Sequence, residues 1–131
     1  MAQPAEDFGD ALTRPFWDAA ARHELLIQRC EACGRHQFYP RAFCRFCHAN
    51  GVAWVKASGR GVVYSLTRIW HSDDPAQPAP YVNALVELDE GPRLFTTLLA
   101  GAERIGQQVR VTWRERADAP PLPVFEAAED P

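Results

Sequence analysis

From Gly61 onward, apolar and polar residues alternate along the chain. In GVVYSLTRIW, Val62, Tyr64 and Leu66 alternate with Val63, Ser65 and Thr67, and in YVNALVEL, Val82, Ala84, Val86 and Leu88 share one face. A period of two is the signature of half-buried β-strands. DEGP at 89–92 reads as a turn, with RLFTTLL as the second arm of a hairpin. The short turn GAERIG leads to QQVRVTWRE, where Val109, Val111 and Trp113 alternate with Gln108, Arg110, Thr112 and Arg114. PPLPVFEA supplies a last short strand, confined to an edge by its prolines. Five short strands with no full-length helix between them predict a small closed barrel, and the five-stranded OB-fold is the leading candidate. SGRG at 58–61 places two glycines where the first strand must bend sharply. HSDDPAQPAP at 71–80 is the longest loop, stiffened by its prolines.

Upstream the period changes. LTRPFWDAAARHELL predicts a helix: Thr13 is placed to cap it, Pro15 suits its first turn, and Leu12, Phe16, Ala19/Ala20 and His23 recur at helical spacing. Phe16 and Trp17 are adjacent and point in different directions, so either both are partly buried in the chain's own fold or one serves the core and the other faces a partner.

The chain has 131 residues, 47% apolar and 24% charged, with a formal net charge of −3. That length suits one ordinary domain or two very small ones. The charge argues against a general nucleic-acid or anionic-membrane binder. The start, MAQPAEDFGDALTRP, lacks the basic and apolar regions of a signal peptide, and no apolar run approaches the ~18 residues of a membrane span. The expectation is a cytoplasmic protein.

All four cysteines fall in CEACGRHQFYPRAFCRFC, as two Cys-x-x-Cys pairs. A reducing compartment disfavours disulfides, and two such turns, each offering two thiolates to one side, complete a tetrahedral sulfur site. Cys30, Cys33, Cys44 and Cys47 are therefore the expected zinc ligands, with a rubredoxin-like iron site and a redox pair as alternatives. Gly34 suits the positive φ needed after the first pair, whereas His48 suits it less well in the second. His36 and His48 are near enough to ligate but are not needed beside four thiolates. A closed S4 shell leaves no position for water or substrate, so the metal is structural.

Other chemistry is sparse. Asp73 and Asp74 are adjacent acids in a proline-rich loop and read as solvated. There is no glycine-rich phosphate loop, no Ser–His–Asp arrangement and no spare cysteine nucleophile. Arg29, Arg35, Arg41 and Arg45 face one acid, Glu31, around the cysteines. They offset the charge of a tetrathiolate site, or face outward beside Phe38, Tyr39, Phe43 and Phe46 to hold phosphates and stack on a base.

The ordered elements PFWDAA, the Cys-x-x-Cys pairs, ASGRG, VELDEG and LPVF resemble the DUF35 family over residues 14–126. The second knuckle, Cys-Arg-Phe-Cys-His, departs from it where Pro and Gly are common. The resemblance implies a mainly β chain: an N-terminal helical segment at 1–24, a rubredoxin-like zinc ribbon at 25–52 and a five-stranded OB-fold barrel at 53–131. It implies a non-catalytic, zinc-binding small subunit of a thiolase-superfamily enzyme acting on acyl-CoA, two small subunits joining two large ones. Arg35, Tyr39, Arg41, Phe43, Phe16 and Trp17 are then the residues expected to meet CoA or the partner. A single-stranded nucleic-acid binder and a stand-alone acyl-CoA-binding protein are the alternatives. Only Lys56 adds to the arginines, which disfavours the former.

Overall fold

In a computed structural model of the chain, which describes residues 9–128, one short helix and two sheets share a core. Helix α1 spans Arg14–Ala21. Strands β1 (Leu26–Cys30), β2 (His36–Gln37) and β3 (Val52–Lys56) form an antiparallel sheet in the order β2-β1-β3. Strands β4 (Arg60–Ile69), β5 (Tyr81–Leu88), β6 (Arg93–Leu98), β7 (Gln108–Arg114) and β8 (Leu122–Ala127) close a barrel in the order β4-β5-β6-β8-β7. The mainly β chain with its ribbon and five-stranded OB-type barrel is as expected from the alternation. No helix among the described residues is long and apolar enough to cross a membrane.

The helix is shorter than its apolar spacing suggested. Thr13 stands at the N-cap, but its side chain makes no cap bond. Instead its N–H donates to Asp10 Oδ1 at 2.9 Å, and its hydroxyl lies 3.1 Å from the same carboxylate. That backbone N–H is the chief reason the Asp10 carboxyl is held below its usual range. Pro15 does sit in the first turn, and Phe16, Ala19 and Ala20 form the buried face. The helix stops because His23 turns left-handed, at φ 60°. Its N–H then reaches Ala20 O, and Glu24 N–H reaches Ala19 O, both at 2.9 Å, which is a Schellman close. Leu25 and Leu26 therefore lead into β1 rather than extending the helix.

Left-handed backbone normally calls for glycine. His23 offsets that strain through its ring, which stacks on Trp113 with centroids 5.7 Å apart and planes 9° apart. Its Nε2 also hydrogen-bonds Glu115 Oε1 at 2.6 Å. The helix end is thereby tied to the barrel.

β3 pairs with β1 along its whole length, so this sheet runs from Leu26 to Lys56. In β5, burial alternates at every residue, and Val82, Ala84, Val86 and Leu88 face the barrel interior with Val63, Val109 and Phe125. Gly61 marks the close approach of β4 to β5: a Cβ there would lie 2.4 Å from Glu87 O. β8 is fully paired with β7 but meets β6 at one position, Leu98↔Phe125. The proline-bearing strand is therefore not the edge expected from its prolines: it lies between β7 and β6 in the closed barrel, and the prolines fall where the β6 seam is sparsely paired. Phe16, Leu25 and Ile27 pack in the same core as the barrel residues.

His23→Ala removes the Trp113 stack and the Glu115 bond but keeps a Cβ in left-handed backbone. It should lower unfolding free energy by about 1–2 kcal/mol. His23→Gly loses the same contacts yet relieves the backbone, so urea denaturation should show the smaller loss for glycine.

Candidate metal centre and its flanking clefts

The two cysteine pairs adopt one local structure twice. Gly34 N–H donates to Cys30 O and His48 N–H to Cys44 O, both at 2.9 Å. Gly34 has φ 78° and His48 φ 66°, so the histidine takes the role expected to need glycine. Cys30 N–H meets Arg35 O and Cys44 N–H meets Ala49 O, again at 2.9 Å each. The second N–H of each turn points at the first sulfur: Cys33 N lies 3.4 Å from Cys30 Sγ and Cys47 N 3.5 Å from Cys44 Sγ. In each pair the first cysteine is buried and the second exposed.

The four sulfurs converge to within 4.8 Å of one another. Cys30 and Cys47 Sγ are 3.5 Å apart, and Cys33 and Cys44 Sγ 3.7 Å. Bonds of ≈ 2.3 Å in a tetrahedral zinc–thiolate site put sulfurs about 3.8 Å apart, so the donors fit that ion in number, chemistry and spacing. The thiols are unequal. Cys47 N–H draws the Cys44 thiol down to about 6, with burial opposing. Cys33 N–H likewise lowers Cys30. At Cys47 the Ala49 N–H pulls downward, but the Cys30 thiol, burial and the remaining thiols together push it up to about 11. A cation among the sulfurs relieves that mutual opposition.

The loop joining the knuckles is held by two buried glutamines that the cysteine pattern did not reveal. Gln28 Oε1 accepts from Gln37 Nε2 at 2.7 Å and from Arg41 N–H at 3.0 Å, and Gln28 Nε2 donates to Arg41 O at 2.9 Å. Gln37 also donates to Phe43 O at 3.2 Å and accepts from Arg45 N–H at 2.9 Å. These residues sit on β1 and β2, so the sheet positions the loop through side chains.

Two clefts flank this loop, and Phe38 and Tyr39 border both. The first, about 660 Å³, lies between the ribbon and the β5–β6 turn. Arg35 and Arg45 approach Phe46 there, their guanidinium carbons 4.8 and 4.9 Å from its ring centroid. Among the described residues, neither arginine is in an ion pair, whereas Arg93, on the same wall, is engaged by Glu87 at 2.9 Å. The second cleft, about 410 Å³, lies between α1 and the β6–β8 seam and includes Phe16 and Trp17. An edge-to-face aromatic run joins them: Trp17 to Phe16 at 4.8 Å, Phe16 to Phe38 at 5.6 Å and Phe38 to Tyr39 at 4.9 Å.

The residues proposed from sequence thus separate. Arg35 and Tyr39 border the first cleft, and Tyr39, Phe16 and Trp17 the second; Phe16 itself is buried. Arg41 and Phe43 border neither. Both are exposed on the loop, with Phe43 edge-on to His48 at 6.3 Å. Arg45 and Phe46, part of the arginine and aromatic cluster read around the cysteines, border the first cleft with Arg35. Arg93 was not singled out, because it reads as an ordinary strand residue. Asp73 is paired with exposed His71 at 3.1 Å, and Asp74 Oδ1 accepts from Ala76 N–H, so the two acids do not converge.

Comparison with known proteins adds to this geometry. Residues 17–52 match the family model described as ChsH2, rubredoxin-like zinc ribbon domain, and residues 54–114 that described as ChsH2, C-terminal OB-fold domain. The chain is 42% identical over 117 residues to a probable enoyl-CoA hydratase alpha subunit of Thermomonospora curvata, covering 86% of this chain and 37% of that one. The chain therefore spans well under half of that relative's length. It is 32% identical over 99 residues to a DUF35 domain-containing scaffold protein of Methanothermobacter thermautotrophicus, covering 72% and 74% of the two. The solved Ltp2-ChsH2(DUF35) aldolase contains a chain that superposes with TM-score 0.82 at 37% identity, covering 95% of this chain and 98% of that one.

Calorimetric titration of the metal-stripped chain with zinc at about pH 7.5, in buffers of different ionisation enthalpy, should give one ion per chain. It should release at least one proton, from Cys47, and fewer than four, because Cys44 is already ionised.

Proposed function

The chain belongs to the ChsH2-type DUF35 family of zinc-ribbon and OB-fold proteins, and from this premise we propose that it is a non-catalytic accessory subunit of an enzyme acting on acyl-CoA thioesters. Its partner in this reading is a thiolase-superfamily large subunit, which supplies the reacting groups, two copies of this chain joining a dimer of the partner. The name of the hydratase subunit supports an acyl-CoA context, and that of the aldolase supports assembly with a partner chain. The observation that carries the reading is the first cleft, where Arg35 and Arg45 converge on Phe46 and neither is in an ion pair among the described residues, while Glu90 on the same cleft accepts from Ser58 N–H at 2.7 Å.

Each part then has a task. Guanidinium groups recognise phosphate oxygens bidentately, so Arg35 and Arg45 hold the CoA phosphates. Phe46 and Tyr39, both exposed, offer aromatic faces to the base. Arg41 and Phe43, outward on the loop, dock the large subunit. The structural zinc keeps this surface rigid, which limits the ordering entropy lost on binding. The chain itself contributes no nucleophile, since all four thiols belong to the metal centre.

One observation favours a second reading. Tyr64 and Phe95 are exposed on the barrel, and Arg93 lies 3.7 Å over the Tyr64 ring, as in a stacking platform for single-stranded nucleic acid. Arg93 is already held by Glu87, and the net charge is −3. Oligonucleotide binding that falls steeply with salt would revive this reading; no binding at low salt removes it.

With the partner present, Arg35→Glu combined with Arg45→Glu should raise KM for acyl-CoA by about tenfold or more. Arg41→Glu with Phe43→Ala should instead weaken assembly by about tenfold and leave KM near wild type once the subunits are saturated. Wild-type assembly and kinetics in both variants would sink the proposal.

A further inference from the structure

The second cleft has chemistry that the CoA reading does not use. β6 and β8 run parallel and pair only at Leu98↔Phe125. Toward the other end of the seam, Leu94–Thr97 and Leu122–Val124 face each other across open space roofed by Trp17 and Phe38. Two side chains bridge to that seam. Tyr39 Oη accepts from Phe95 N–H at 3.0 Å, and Thr96 Oγ1 donates to Pro123 O at 3.0 Å. With its strand polar groups met in this way, the lining presents mostly aliphatic and aromatic surface.

The exception is Arg114, at the end of β7, with Gln77 from the long loop beside it. Arg114 Nη1 donates to the neutral Gln77 Oε1. Among the described residues, no carboxylate lies within ion-pair distance of Arg114. Arg116 stands close by, 5.6 Å from the Trp17 ring centroid. Burial first, and the Arg114 charge second, lower its affinity for a proton. Two guanidinium groups thus raise the potential at one end of an apolar cleft, where water competes poorly for an anion. The volume, about 410 Å³, falls in the ~300–1,000 Å³ range of small-molecule pockets.

We propose that this cleft binds a small apolar molecule bearing a carboxylate, its body between Trp17 and the β6–β8 seam and its carboxylate on Arg114. The ligand class follows from charge complementarity: a neutral apolar molecule leaves Arg114 with only the glutamine, whereas a carboxylate gains a charge-assisted, bidentate partner. The site is separate from the Arg35–Arg45 cleft, with Phe38 and Tyr39 as the wall between them. It holds whether or not the first cleft takes CoA.

The test is an NMR titration of the ¹⁵N-labelled, zinc-loaded full chain with 1-naphthylacetate and, separately, its uncharged methyl ester. The acid should shift the Trp17 indole N–H and the Thr96 and Thr97 amides saturably, and bind roughly tenfold tighter than the ester. Arg114→Met should bring the acid to the affinity of the ester, while Arg114→Lys, which keeps the charge, should retain part of the preference. Equal binding of acid and ester to the wild type overturns the proposal. So do shifts confined to Arg35 and Phe46, or the absence of saturable binding by either compound.

Discussion

The loop between the two cysteine knuckles has almost no sheet of its own, and its backbone must be satisfied by other means. Gln28 and Gln37 supply them, bonding to each other and to Arg41, Phe43 and Arg45. Both amides are buried, so removing either leaves orphaned polar groups costing about 1–3 kcal/mol each. The four sulfurs close the loop at its two ends. A ribbon of this size buries too little apolar surface to hold such a path alone, which is why a metal centre and a buried amide pair occur together.

That fixed loop shapes the rest of the molecule. Phe38 reaches from it into the aromatic run with Phe16 and Trp17, and Tyr39 reaches across to the β6 edge at Phe95. Helix, ribbon and barrel meet at these two residues, which also separate the two clefts. The metal is remote from any reaction in this account, yet the cleft walls inherit their positions from it. His23 makes a second tie, between the end of α1 and β7. The chain thereby holds two separate clefts in fixed relation, each with arginine on its wall.

Much of this was legible in the residue pattern. Alternation in YVNALVEL and QQVRVTWRE locates barrel strands because inward positions must be apolar. The Cys-x-x-Cys spacing locates the sulfur cluster because the knuckle turn is a local structure. The helix end was not legible, since Leu25 and Leu26 continue a helical spacing while the stop comes from left-handed backbone at His23. Gln28 and Gln37 were silent because hydrophobic patterning treats a buried amide as surface. Arg41 and Arg45 look equivalent in sequence, yet one faces outward from the loop and the other borders a cleft. Arg114 alternates like any strand residue, and its place in a cleft depends on the seam between β6 and β8, a tertiary property.

The central claim is that the metal centre, through the glutamine-held loop, positions the barrel-facing wall shared by the clefts. Amide hydrogen exchange of the chain before and after removal of zinc by a chelator tests it most directly. Protection at Arg41, Arg45 and Phe95 should fall together, because Phe95 N–H is held by Tyr39 and the other two by the buried glutamines, while Val86 and Val109 in the barrel keep theirs. Unchanged protection at Phe95, with Arg41 and Arg45 exposed, would contradict the account and leave the metal as a local staple for the ribbon alone.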